Sequence, residues 1–183
     1  MISKNRIRRS PPVCVLVAVA LVVLGRLRFR RRYVGRVLVT EDGQRFRVFR
    51  YLSLRKSREG AERSPAVLVI RFKFARLSQG LNRWLSLVPI PLIGGYPGFR
   101  HKLWMADEET GYWQGVYEWE SSAVVEAYRR SFVLGVMNRR AEPKSISYTM
   151  IPQARLADYL EGRIACTATN TTGNHGQRKS QGG

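Results

Sequence analysis

The sequence is poor in the residues that build metal sites and covalent frameworks. Its 183 residues include two cysteines and two histidines. Cys14 lies in an apolar run and Cys166 in a polar tail, so they make no disulfide framework, and a reducing compartment is the simpler setting. His101 and His175 belong to no Cys/His cluster and to no metal-spaced His/Glu pair, so neither a metal nor a cofactor is expected. No glycine-rich phosphate loop and no nucleophile elbow occurs. Acidic residues are also scarce. Asp and Glu number 13 against 32 Lys and Arg, a formal net charge of +19, and none precedes Glu41.

That charge resembles a nucleic-acid signature, but its distribution argues otherwise. Ten basic residues, Lys4 to Arg36, flank a single apolar run, and the remaining chain carries 22 basic residues against 13 acidic. Such clustering suits an anionic membrane surface as well as DNA. The run itself, Val13 to Gly25, is uncharged. As a helix it would span about 20 Å, short of a hydrocarbon core of about 30 Å. Leu27 and Phe29 can extend it while Arg26 and Arg28 snorkel. A retained single-pass anchor over residues 1–32 is the leading expectation, with a cleaved signal and a peripheral helix as the alternatives. The positive-inside rule then leaves the rest of the chain at the cell membrane's cytoplasmic face.

Residues 33–65 read as a β-hairpin and a linker. Val37 to Thr40 and Arg45 to Leu52 surround Asp42-Gly43, a strong turn signal, and the polar stretch RKSREGAERSP follows. Residues 66–152 form the main domain. In AVLVIRFKF, Leu68, Ile70, Phe72 and Phe74 share one face, while Val67, Val69, Arg71 and Lys73 share the other. Leu77 to Leu87 is a helix whose Leu81, Trp84, Leu85 and Val88 make a buried stripe, ended by Pro89 and Pro91. Arg100 to Ala106 and Tyr112 to Trp119 form a hairpin. A helix runs from Ser121 or Ser122 to about Arg140, with Val124, Val125, Tyr128, Phe132 and Val136 as its apolar stripe. Lys144 to Ile151 is the last strand. The order β-α-β-β-α-β predicts an α+β ferredoxin-like sandwich behind a transmembrane helix and a hairpin. Its second sheet face needs a cover, most simply a second copy. Residues 153–165 contain a short helix, and residues 166–183 read as a disordered tail.

The stretch YPGFRHKLWMADEETGYWQGVYEWESSAVVEAYRRS resembles the YdhR-like monooxygenases of the dimeric α+β barrel superfamily. The resemblance rests on Pro97-Gly98-Phe99, Lys102, Trp104, Gly115, Tyr117 and Ala127-Tyr128. It implies a homodimer whose sheets close into a barrel with a ligand pocket.

On their strands, Lys102 and Trp104 alternate to one side, as do Gly115, Tyr117 and Trp119. With Arg71, and with Tyr148 on the last strand, they would make an aromatic patch with basic groups, fit for a small apolar or aromatic ligand. Arg71 or Lys102 would hold an anionic substrate, and Tyr117 would hydrogen-bond it or relay a proton. The candidate catalytic residues are therefore Arg71, Trp104 and Tyr117, and the candidate substrate-binding residues Lys102, Trp119 and Tyr148. The aromatics could equally fill a core. His101 reads as structural. Three functions stay open: a membrane-tethered, cofactor-free monooxygenase, a ligand-binding module without chemistry, and an RNA-binding protein. Glu118 and Glu120, which would oppose phosphate, weigh against the last.

Overall fold

A computed structural model describes residues 10–55, 64–74 and 79–164. The expected tail and most of the linker, residues 56–63, lie outside them. In chain order the elements are α1 (Pro11–Val23), β1 (Leu27–Phe29), β2 (Val37–Val39), β3 (Arg45–Leu54), β4 (Ala66–Lys73), α2 (Gln79–Leu85), α3 (Ile90–Gly94), β5 (Phe99–Ala106), β6 (Tyr112–Trp119), α4 (Ser122–Arg129), α5 (Phe132–Arg140), β7 (Ser147–Pro152) and α6 (Leu156–Leu160).

The antiparallel sheet runs β1-β3-β5-β6-β4-β7, with β2 also paired to β3. Its β5-β6-β4-β7 portion, wound β-α-β-β-α-β, is the ferredoxin-like arrangement the sequence predicts. The N-terminal hairpin is an extension of this sheet. β3 pairs with β5 from Arg47 opposite Ala106 to Ser53 opposite His101.

No helix among the described residues is long and apolar enough to cross a membrane. This corrects the expected transmembrane helix. α1 stops at Val23, and the chain turns at Gly25, whose φ of +64° suits glycine. Leu27 and Phe29, expected to lengthen the helix, instead pair with Leu54 and Leu52 of β3. α1 docks against α3 through Cys14 and Ala18, both buried. The docking requires a glycine at position 95, since a Cβ there would lie 1.8 Å from the Cys14 carbonyl oxygen.

Two helical expectations also change. α2 already stops at Leu85, and Pro89 and Pro91 instead open α3, because proline is tolerated in a first helical turn. The second helix breaks at Arg130–Ser131, where Ser131 takes an extended backbone. The break turns Val133 and Leu134 inward and leaves Phe132 and Val136 exposed, against a stripe drawn through Phe132 and Val136. Leu81, Trp84 and Val88 of the α2 region are likewise exposed.

Both sheet faces are buried within the single chain. The helical layer covers Leu68, Ile70, Phe72, Trp104, Tyr117 and Trp119. The second face, with Val67, Val69, Leu103, Met105 and Val116, is covered by Leu38, Phe46 and Tyr51 from the N-terminal hairpin and by Leu156, Tyr159 and Leu160 of α6. Glu118 Oε2 accepts the Leu156 backbone N–H at 2.7 Å and so anchors the start of α6. The bare face that called for a second copy is thus already filled.

Candidate functional site

A partly open hollow lies between the sheet and the helical layer. It is a cavity of about 320 Å³ with almost wholly apolar walls. Phe72 of β4, Trp104 of β5 and Trp113 and Tyr117 of β6 form its floor. Ile93 of α3, Tyr128 of α4 and Val133 of α5 form the opposite wall, and the exposed Val88, Phe132 and Val136 rim the mouth.

One amine sits in this wall. Lys102 is 3% exposed, and no carboxylate pairs with it among the described residues. Its Nζ lies 4.1 Å from the ring centre of Trp104 and 4.3 Å from that of Tyr117. The pairing of Lys102 with Tyr117 and of Trp104 with Gly115 places all four on one face. Gly115 lets the Tyr117 ring fold over the strand, since a Cβ there would lie 2.9 Å from Tyr117 Cε2.

Burial pushes the Lys102 amine well below the ordinary lysine value, and the nearby Arg50 guanidinium lowers it further. Two aromatic faces attract an ammonium by about 2 kcal/mol when desolvated. Removing an unpaired ammonium from water costs several kcal/mol or more, so burial outweighs the attraction of the rings and shifts the amine toward its neutral form. Burial also raises the Tyr117 and Tyr128 phenols, which hydrogen-bond each other. Both stay protonated at neutral pH. Tyr117 can donate or relay a proton but not serve as a phenolate base.

The patch read from the sequence is partly assembled. Lys102, Trp104 and Tyr117 meet at the cavity. Trp119 does not reach it: its ring is fully buried behind Tyr117, stacked at 6.1 Å, and packs on Tyr128 at 4.5 Å. Tyr148 lies off the lining, hydrogen-bonded to Asn138 and under Arg129. Arg71 is on the opposite sheet face. It pairs with Asp42 at 2.6 Å, bonds Gln114 at 3.2 Å, and lines a separate polar depression with Tyr159 and Arg163. Arg71 and Thr40 hold the Asp42 carboxyl down to about 2. The expected patch therefore combined two faces. Alternation fixes parity within each strand, whereas pairing fixes it between strands, and Leu68 opposite Tyr117 puts the apolar face of β4 beside Lys102. His101 is structural, bonded to the Tyr51 hydroxyl at 3.2 Å.

Sequence reasoning missed several neighbours of the site. Phe72 and Phe74 carried a signal in the apolar face of β4, and Trp113 in its aromatic strand. Arg50 carries none, since no sequence pattern links the hairpin to the main domain. Its guanidinium lies 5.7 Å from the Trp104 ring and donates to Ser86 Oγ at 2.7 Å.

No protein-family model matches the chain, and neither does any curated protein. Distant likenesses among solved structures include the following two. An anthrone oxidase-like protein aligns at 17% identity and a TM-score of 0.40, over 61% of this chain and 57% of that protein. An uncharacterized ferredoxin-fold protein related to antibiotic biosynthesis monooxygenases, from Listeria monocytogenes 4b F2365, aligns at 8% identity and a TM-score of 0.45, over 64% of this chain and 69% of that one. Neither likeness assigns a family. The YdhR-like group is not among these matches. The ferredoxin-like fold stands on the strand order of this chain itself.

Proposed function

We propose that this chain binds a small, mainly apolar molecule in the cavity over Lys102, at a membrane surface. The observation that carries the reading is a partly open apolar cavity with a single unpaired amine in its wall. Such a cavity gains from excluding water, and its few polar groups, Lys102 with Ser86, Gln114 and Arg140, orient the guest. Association with the bilayer is supported by the exposed Leu16, Val19, Val22 and Val23 of α1 and Leu24 just after it, followed by the exposed Arg26, Arg28, Arg30, Arg31 and Arg32.

The test uses naphthalenemethanol, a flat neutral probe. Its binding should quench the fluorescence of Trp104 and Trp113 saturably. Val136→Trp, at the half-open mouth, should weaken binding by about tenfold or more without lowering Tm, because it fills the entrance and leaves the core intact. No saturable quenching in the wild type would reject the reading.

A cofactor-free monooxygenase is the second reading of the same cavity. It is favoured by the shift of the amine toward its proton-free form, in which it could accept a proton from an acidic phenol or ketone and leave an ammonium beside the substrate anion. Oxygen uptake with such compounds, lost in Lys102→Met, would select it over binding alone.

A further inference from the structure

We propose that Lys102 is a nucleophile that captures a carbonyl-bearing guest as an imine. The proposal rests on the cavity reading above and names the substrate class: apolar or aromatic aldehydes and ketones.

The first support is geometric. Lys102 Nζ lies against the faces of Trp104 and Tyr117, and all three residues line the cavity. The two rings restrict where the amine can lie, which reduces the entropy lost in reaching an attack geometry. The second is electrostatic. The ion pairs found among the described residues join arginines to carboxylates, and Lys102 takes part in none. An unpaired lysine in apolar walls is costly to the fold unless a function uses it. Desolvation and Arg50 shift the amine toward its proton-free form, which is the nucleophilic one.

Charge balance then selects the guest. Bringing an anion up to Lys102 would place it beside an ammonium that burial disfavours, and its charged partner in the lining would be Arg140 instead. Condensation of a neutral amine with a neutral carbonyl leaves no net charge. The nitrogen lone pair forms the C–N bond as the carbonyl π pair moves to oxygen. A proton passes from nitrogen to that oxygen, giving a carbinolamine. Loss of hydroxide with a further proton from nitrogen releases one water and leaves C=N. No oxidant or reductant is needed. The protonated Tyr117 hydroxyl, held by Tyr128, is the nearby group able to relay these protons.

The experiment incubates the full-length chain with naphthaldehyde at about pH 7, reduces with cyanoborohydride, and maps the adducts by mass spectrometry. The expected result is a secondary amine on Lys102, formed about tenfold or more faster than on Lys73 or Lys144. Excess naphthalenemethanol should suppress it. Lowering the pH should slow the surface lysines first, because Lys102 keeps its lone pair longer. A purely structural lysine would show neither the preference nor the displaced pH profile. If naphthalenemethanol binds and Lys102 remains unmodified, or is labelled no faster than surface lysines, the imine is rejected and the cavity reading survives. If the alcohol does not bind either, both fall. Lys102→Met should lose the adduct while retaining the alcohol, and the wild-type map decides the question even if that variant folds poorly.

Discussion

At the scale of single residues, Lys102 trades stability for a reactive position. An amine whose pKa falls on folding leaves the folded chain with fewer bound protons than the unfolded chain. Stability then rises with pH between the depressed value and the ordinary lysine value. The burial penalty is fully present below that window and absent above it. Lys102→Met should therefore stabilise the protein by about 1–4 kcal/mol at neutral pH, with the gain shrinking as pH approaches the ordinary lysine value. Urea denaturation across that range measures it, and a gain independent of pH would contradict the assignment. Gly115→Ala makes a complementary test. The added methyl meets the Tyr117 ring at 2.9 Å, and Tyr128 and Trp119 back that ring, so it cannot swing away. A loss of about 1–3 kcal/mol should accompany weakened naphthalenemethanol binding. Part of this site was legible in the sequence. Lys102, Trp104, Gly115 and Tyr117 share a parity that simple alternation reveals. Which layer they face was not legible, because that depends on the pairing with β4. The core position of Trp119 depends on its packing against Tyr96, Phe99 and Tyr128, which come from separate elements.

At the scale of elements, strands were easier to read than helices. Asp42-Gly43 marks the first hairpin, and alternation marks β4, β5 and β6. β1, only Leu27–Phe29, is hidden because it continues an apolar run and acquires its identity by pairing with β3. The helical pieces were misread where a break reset their phase, at Pro89 and at Ser131. A periodic stripe continued through either break selects residues that end up exposed. α1 depends on a close approach that no local pattern announces. Its Cys14 carbonyl occupies the space a side chain at position 95 would need. Gly95→Ala should lift α1 from α3 and open the buried Cys14 thiol to maleimide. In a Cys166→Ser background, labelling should rise by about tenfold or more. Unchanged labelling would mean that α1 accommodates the methyl by sliding.

At the scale of the whole molecule, the two sides differ sharply. One side of the sheet is sealed by the N-terminal hairpin and α6. On the other, the helical layer presents Leu16, Val23, Trp84, Val88 and Phe132 outward, all more than half exposed. Apolar surface of this kind marks an interaction site. The cavity mouth opens through the same layer. Full-length chain should co-sediment with vesicles containing phosphatidylglycerol and bind phosphatidylcholine vesicles several-fold less. Leu16→Glu with Val23→Glu should abolish sedimentation and leave the soluble fold intact by circular dichroism. Sedimentation unaffected by these changes would move the contact away from α1, and concentration-dependent dimerisation without vesicle binding would assign the surface to a second copy.

The sealed side carries a consequence for synthesis. Leu38 forms an antiparallel bridge with Ile164, close to opposite ends of the described chain. A ribosome delivers the first hairpin long before α6 emerges. Until then Val67, Val69, Leu103 and Met105 have only half their cover, and the nascent chain presents a greasy, edge-rich sheet to its surroundings. This face is therefore completed only when α6 docks beside the first hairpin, and a chain cut short before Leu156 would be a natural client for chaperones.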